Sequence, residues 1–314
     1  MIELLGKTNI DFIGMRKITF FISAIITIIG ILGVISIARS TANMGIDFTG
    51  GTSLQVQFDK PVAMADVRKA LHTVGIEAEL QEVKEGNKLL VKLARKNQGA
   101  VGKAAETIPA ALQKGLPGTM VTVESTTEIG PAVGDKLRKD TLIAVAISML
   151  GIICYIAWRF DFHFGVGAIV ATLHDIMAMF AVFYLFNKEI NLLFITAVLT
   201  IAGYSLTDTV VIFDRIRENL HKDLKGAMHT IINRSVNEVL SRSIVTSITT
   251  FLSAAALFFF GGEVIHDFAL ALLVGIVVGA YSSVFVASPV LMWLHERALK
   301  KEGTTGAGHA PAKA

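Results

Sequence analysis

The residues most able to do chemistry are a few ionisable side chains within otherwise apolar stretches. Asp208 lies between Thr207 and Thr209 in one stretch, and the pair His174-Asp175 lies in another. A charge at membrane depth costs several kcal/mol, so a carboxylate kept there commonly serves ion or proton movement. We therefore predict that Asp208 exchanges a proton. A structural carboxylate bonded to nearby hydroxyls is the alternative.

A cation that could pair with Asp208 is Arg242, at the head of the next apolar stretch. If Arg242 faces inward, it is the natural counter-charge for Asp208; if it faces outward, it is an interfacial anchor. The hydroxyl residues that follow it share one helical stripe, which we expect to face protein or water. They are Ser243, Thr246, Ser247 and Thr250.

The other polar residues near these stretches are expected to be mainly structural. Asp175 is expected to bond a neighbouring helix, with a proton relay as the alternative. Because adjacent side chains diverge on a helix, His174 and Asp175 are not expected to form a dyad. Asp214 and Arg215 are interpreted as an ion-paired cap at the membrane surface, and residues 159–161 (RFD) as a short turn that fixes helix ends.

The composition indicates a membrane protein. Of the 314 residues, 53% are hydrophobic and 18% are charged, and the mean hydropathy is +0.59. Soluble domains carry about 25% charged residues. These values exclude a disordered chain, a collagen-like fibre and a disulfide-stapled secreted domain. The single cysteine, Cys154, cannot form an intrachain disulfide or a cysteine-based metal site.

Six apolar segments can cross a hydrocarbon core of about 30 Å, which requires about 20 helical residues. They cover residues 18–37, 142–157, 165–186, 192–213, 244–260 and 268–294. The short loops on one side carry many Lys and Arg residues, whereas those on the other carry only Lys188. The positive-inside rule therefore places residues 1–17 and a loose tail at 295–314 in the cytoplasm. A signal peptide cleaved near residues 40–42 is the alternative for the first segment, although its apolar run is long for that role.

The charged insert, residues 38–141, is predicted to be a soluble domain outside the cytoplasm. Alternation and helical spacing predict the order βαββαβ, with a turn at 85–87. The elements cover 53–58, 62–74, 77–83, 88–94, 99–114 and 119–125. This order is typical of a ferredoxin-like sheet. The predicted fold class is an α-helical polytopic membrane protein with six transmembrane helices and one α+β ferredoxin-like extracytoplasmic domain between helices 1 and 2.

Three motifs carry a family resemblance. The first is GIDFTGG, which contains Gly45, Asp47, Phe48, Gly50 and Gly51. The others are residues 129–134 (IGPAVG) and residues 204–219, which end in FDRIREN. In this order, and with six spans and one outer domain, they resemble the SecF family of bacterial protein-export membrane proteins, part of the resistance-nodulation-division superfamily. The resemblance implies a structural role for GIDFTGG at the membrane surface.

The resemblance also implies a function. Such a protein works with SecD and the SecYEG channel in the inner membrane, with YajC as a further candidate partner, and acts on an unfolded exported polypeptide. A fourth-span carboxylate and a fifth-span arginine would use the proton gradient, and the matching residues are Asp208 and Arg242. No enzyme activity, cofactor, metal or nucleic-acid partner is implied.

Three other functions remain open at this stage. A structural subunit that stabilises SecD would use its intramembrane charges only for assembly. A proton-driven exporter of small molecules or lipids is disfavoured, because the insert is one small sheet rather than a large substrate-collecting domain. An intramembrane hydrolase fits least, since no nucleophile-elbow pattern is present and Cys154 has no base near it in the sequence.

Overall fold

The computed structural model describes residues 8–83, 86–94, 104–224 and 226–306. In chain order its elements are α1 (Arg16–Ala38), α2 (Ile46–Thr49), β1 (Gly51–Phe58), α3 (Met64–Thr73), β2 (Glu79–Val83), β3 (Lys88–Ala94), α4 (Ala104–Gly115), β4 (Val121–Ile129), α5 (Pro131–Arg159), α6 (Phe162–Leu185), α7 (Leu192–Lys222), α8 (Met228–Phe260), α9 (Glu263–Ser282), a π-helical turn (Ser283–Ala287) and α10 (Ser288–Gly306).

Six helical segments within the described ranges are long and apolar enough to cross a membrane. They are α1, α5, α6, α7, α8 and the continuous run from α9 through the π-helical turn into α10. The predicted polytopic class is therefore confirmed.

Four of these helices are longer than the sequence predicted. Helix α7 continues to Lys222, past the predicted end at 213, and α8 begins at Met228, before the predicted start at 244. Helix α5 begins at Pro131, well before the predicted start at 142, because proline suits the first turn of a helix. Helix α10 continues to Gly306, past the predicted end at 294, because residues 296–302 (ERALKKE) are mostly strong helix formers. The predicted loose tail is thus helical as far as Gly306, and residues 307–314 lie outside the described part.

The insert forms a four-stranded sheet in the order β2-β3-β1-β4 with antiparallel neighbours. With α3 and α4 between the strands in sequence, this is the predicted ferredoxin-like arrangement. Alternation along β1 directs its apolar residues toward the helices, and the buried core contains Leu54, Val56, Val67, Leu71, Leu89, Val91, Ile108 and Leu112. The first residues of the predicted helix at 99–114, and residue 85 of the predicted turn, lie outside the described ranges.

Glycines let the membrane helices approach closely. A Cβ added at Gly30 in α1 would lie 2.1 Å from the carbonyl oxygen of Met177 in α6. On another side of the bundle, a Cβ added at Gly275 of α9 would lie 2.5 Å from the Ile201 side chain of α7, and one at Gly279 would lie 3.0 Å from the Ser205 Cβ. Small residues at such spacing are typical of packed membrane helices, where tight backbone contact replaces hydrophobic burial as the attraction.

Gly30→Ala is therefore expected to lower the free energy of unfolding by about 1–3 kcal/mol, since the methyl group meets backbone that cannot move aside. Unfolding of the detergent-solubilised chain would measure this loss. Gly151→Ala in α5 is the matched control, because a Cβ there has no neighbour within 4 Å. Equal stability of the two variants would contradict the proposed packing.

Candidate intramembrane polar site

The carboxylate of Asp208 lies on α7 and faces the start of the apolar half of α8. Its Oδ1 atom accepts a hydrogen bond from the hydroxyl of Ser243, at 2.5 Å. Its Oδ2 atom is buried and has no hydrogen-bond partner among the described residues. A buried acceptor without a donor is costly. One oxygen of this carboxylate is thus in position to take up a proton.

Two orientations were considered for Arg242, inward toward Asp208 and outward as an interfacial anchor. The structure has the outward one. Its side chain is exposed, and no ion pair joins it to Asp208 within the described ranges. The reason is helical geometry: successive residues are about 100° apart, so an inward Ser243 turns Arg242 away. Arg242 instead lines a cleft of about 420 Å³, together with Asp214, Arg215, Glu218 and Glu238.

Ion pairs around this cleft connect α5, α7 and α8. Arg159, at the end of α5, donates to both carboxylate oxygens of Asp214 at 2.6 Å. Arg215 donates to Glu218 on its own helix and to Glu238 on α8, both at 2.6 Å. Asp214 and Arg215 are therefore ion-paired as expected, but each with another partner rather than with one another.

A second polar site lies deeper between α6 and α7. Asp175 is fully buried, and its Oδ2 accepts a hydrogen bond from the Ser205 hydroxyl of α7 at 2.5 Å. The expectation that His174 and Asp175 diverge is wrong, because the His174 Nδ1 atom lies 3.3 Å from Asp175 Oδ1. Both side chains are long enough to meet although their Cβ atoms point apart. The Nε2 atom of His174 is buried without a hydrogen-bond partner in the described part of the chain.

The two threonines that flank Asp208 have different surroundings. Thr207 is exposed and bonds the carbonyl of Tyr204 on its own helix, at 2.7 Å. Thr209 is buried, and its hydroxyl lies 2.8 Å from that of Ser283 in the π-helical turn. π-Helical turns often occur at functional sites. Thr209 thus connects the Asp208 helix to the last span, whereas Thr207 does not.

The GIDFTGG segment caps the helix that carries Asp208. Asp47 Oδ2 accepts a hydrogen bond from the backbone N–H of Leu192, at 2.9 Å, and Asn191 Oδ1 accepts one from the N–H of Phe194, also at 2.9 Å. The first N–H groups of a helix lack partners inside it, and a carboxylate also suits the positive end of the helix dipole. Asp47 therefore stabilises the N-terminal end of α7 from another part of the chain.

The other residues of the segment explain its glycines. A Cβ at Gly45 would lie 2.5 Å from Glu189 Oε1, and one at Gly51 would lie 2.3 Å from the carbonyl oxygen of Leu93. Gly50 has φ +70°, a conformation that favours glycine. Phe48 is buried in one apolar cluster with Met179, Phe183 and Phe194 of the helix bundle and with Ile190 of the loop before α7.

Sequence reasoning missed an ion pair between Lys92 of β3 and Glu189 in the loop between α6 and α7. The Glu189 side chain is only 6% exposed. Burial raises the pKa of Glu189, and the Lys92 ammonium, which lowers it, only partly offsets this effect; Glu79 and Asp47 add to the increase. The one sequence signal for this ion pair was Glu189 itself, a charged residue beside Lys188 in a short loop. It did not indicate that Lys92 would be the partner.

The fold and the site together define a class: a multi-pass membrane protein with a ferredoxin-like domain and buried carboxylates in its helix bundle. Comparisons with known proteins specify it further. The model of the protein export membrane protein SecD/SecF C-terminal family matches residues 110–297, and that of the SecD/SecF GG motif matches residues 35–62. The chain therefore belongs to the SecF family of protein translocase subunits.

Relatives of this chain are similar over nearly its whole length. Protein translocase subunit SecF of Thermodesulfovibrio yellowstonii is 53% identical over 304 residues, which cover 96% of this chain and 100% of that protein. SecF of Endomicrobium trichonymphae is 40% identical, over 91% of each chain. The crystal structure of SecDF from Thermus thermophilus, described as a translocon-associated membrane protein, matches with a TM-score of 0.76 and 33% identity over 92% of this chain. This chain spans only 39% of that longer SecDF chain.

Proposed function

We propose that this chain works with SecD to use the proton-motive force in the late steps of protein export through SecYEG. The observation that carries the proposal is the unpaired, buried Oδ2 atom of Asp208 within a membrane helix. That helix is capped by Asp47 next to the outer domain. The proposed proton site and the contact with the soluble domain thus lie on the same helix, α7. That domain could contact the exported chain.

The surface of the bundle supports a membrane partner. On α7, near Asp208, a stripe of small and polar residues is exposed, and it consists of Thr196, Thr200, Gly203 and Thr207. Helices α5 and α8 also expose large apolar side chains, among them Leu142, Ile147, Leu150, Leu252 and Phe260. Small residues let membrane helices pack closely. Six further spans from SecD would cover this face, which agrees with the greater length of the solved SecDF chain.

The orientation follows from the distribution of charge. The loops rich in Lys and Arg lie on the same side of the membrane as the termini. By the positive-inside rule, both termini then lie in the cytoplasm and the outer domain lies on the far side of the inner membrane. The cleft lined by Arg242 and Asp214 then faces the cytoplasm. Protonation of Asp208 removes its charge, and the helices around it repack. The outer domains of both subunits hinder backward sliding of the polypeptide that leaves the channel.

The energy of one proton limits the size of each step. Movement of one charge across the membrane yields about 2.3 kcal/mol per 100 mV. This energy can shift a balance between two helix arrangements but cannot move a long polypeptide at once. Export of one protein therefore takes many proton cycles.

The experiment uses inner-membrane vesicles from cells depleted of their own SecF, supplied with this chain and SecD. A precursor is translocated part of the way, ATP is exhausted, and completion is followed with and without an ionophore. We expect the chain to restore ionophore-sensitive completion. Restored completion that is insensitive to the ionophore would favour the alternative, a structural subunit that stabilises SecD without proton coupling of its own.

A further inference from the structure

We infer that Asp47 is a positioning residue for the Asp208 helix, and that the outer domain and the outer end of α7 move as one body. This inference rests on the proposed function, because it assigns the route by which movement at Asp208 reaches the outside. The contacts concerned join residues 43–47 and β3 to residues 187–192, and together they are called the outer clamp.

The first part of the outer clamp is a short backbone ladder. The Gly45 N–H donates to the carbonyl of Ile190 at 2.9 Å, and the Ile190 N–H donates to the carbonyl of Asn43 at 2.8 Å. The Asn43 side-chain amide donates to the carbonyl of Asn187 at 3.3 Å and to Glu79 of β2 at 3.2 Å. The loop before α7 is thus paired with the outer domain in the manner of adjacent strands.

The second part is the cap that Asp47 forms on Leu192. Asp47 belongs to α2, directly before β1, so the cap links the first strand of the outer domain to the first turn of α7. Neither side can shift along the α7 axis without breaking this hydrogen bond. Asp47 does not contact Asp208, because Asp208 lies far along α7 from the capped residue Leu192. Asp47 therefore acts on Asp208 only by fixing the end of α7.

The third part is the ion pair of Lys92 and Glu189. Strand β3 lies inside the sheet, with β2 on one side and β1 on the other, so Lys92 is held by a rigid element. Breaking a buried ion pair leaves an uncompensated charge, which opposes separation of the two parts. Phe48, buried with Phe183 and Phe194 of the bundle, adds an apolar anchor at the same place.

A cross-link tests whether the outer clamp stays closed during export. Met44 and Ile190, which pair in the manner of neighbours on adjacent strands and so have backbones close enough for a disulfide, are both replaced by Cys in a Cys154→Ser background, and the assembled complex is oxidised in vesicles. If the two parts move as one body, the disulfide forms readily and export retains its dependence on the proton gradient. Gradient-dependent export that is lost on oxidation and restored by reductant would overturn the inference, and so would failure to cross-link. Each single-cysteine variant is the control.

Variants of Asp47 test the positioning role. Asp47→Asn keeps an oxygen that accepts from Leu192, whereas Asp47→Ala does not. We expect Asp47→Ala to speed amide hydrogen exchange in the first turn of α7 about fivefold to tenfold and to reduce gradient-dependent export, while Asp47→Asn stays close to wild type in both. Exchange and export that are unchanged in Asp47→Ala would overturn the role.

The outcomes separate this inference from the proposed function. If Asp208 does not couple export to protons, Asp208→Asn leaves export unchanged, yet the cross-link and the exchange rates at Leu192 still report on the outer clamp. If the outer clamp opens during export, the cross-link stops export although Asp208→Asn continues to show its own effect.

Discussion

Asp208→Asn is expected to reduce completion of export to the rate seen with an ionophore, without loss of the complex. Asparagine has nearly the same shape, and its Oδ1 atom can still accept the Ser243 hydroxyl. It cannot gain or lose the proton that the buried Oδ2 of the carboxylate can take. The helices would then stay in one arrangement, whatever the proton gradient.

The measurement compares completion of translocation in vesicles with and without an ionophore, together with the amount of assembled complex. Asp223→Asn is the matched control, because it makes the same chemical change at the exposed end of α7, beyond the polar site. An Asp208→Asn complex that still responds fully to the gradient would rule out Asp208 as the coupling group.

Lys92→Met is expected to lower stability by about 3–5 kcal/mol near neutral pH, because it leaves Glu189 buried without its cation. Glu189→Gln is expected to cost much less. It removes a charge that the fold already disfavours, as the raised pKa of Glu189 indicates. Hydrogen exchange of β3 in the full chain would measure both changes, and a smaller effect of Lys92→Met than of Glu189→Gln would contradict the assignment.

The same pair has a defined pH dependence. The pKa of Glu189 is raised in the folded protein, so its contribution to stability is fully present below 4.5 and declines as the pH rises toward the raised value. Without Lys92, nothing offsets burial and the pKa rises further. The loss in Lys92→Met should therefore shrink as the pH is lowered and Glu189 becomes neutral. A loss that is the same at pH 5 and pH 8 would show that Lys92 acts through packing instead.

The sequence predicted elements well where a single periodicity controls them. The apolar runs specified the six spans, and alternation specified the ferredoxin-like order, because both depend on local residue patterns. The starts of α5 and α8 and the ends of α7 and α10 were missed, since helices that leave the membrane no longer need apolar residues. The N-cap at Asn191 was within reach of sequence reasoning, as an asparagine directly before an apolar helical run.

The candidate site was predicted less completely, for a physical reason. Asp208 could be found from its surroundings alone, since a carboxylate among apolar residues is unusual. Its contact with Ser243 rather than Arg242 depends on how α8 is rotated against α7, which packing of the whole bundle determines. Lys92 and Glu189 are 97 residues apart, and no local pattern relates them.

The π-helical turn at Ser283–Ala287 rotates the side chains of the second half of the last span about the helix axis, relative to those of the first half. One extra residue in a helix turns everything beyond it by about 100°. Before the turn, Gly275 and Gly279 face α7; after it, Leu291 and Met292 are buried in the apolar cluster at the other end of the bundle. One continuous helix thereby presents two unrelated faces to its neighbours, so removal of a single residue from the turn would swing α10 out of that cluster.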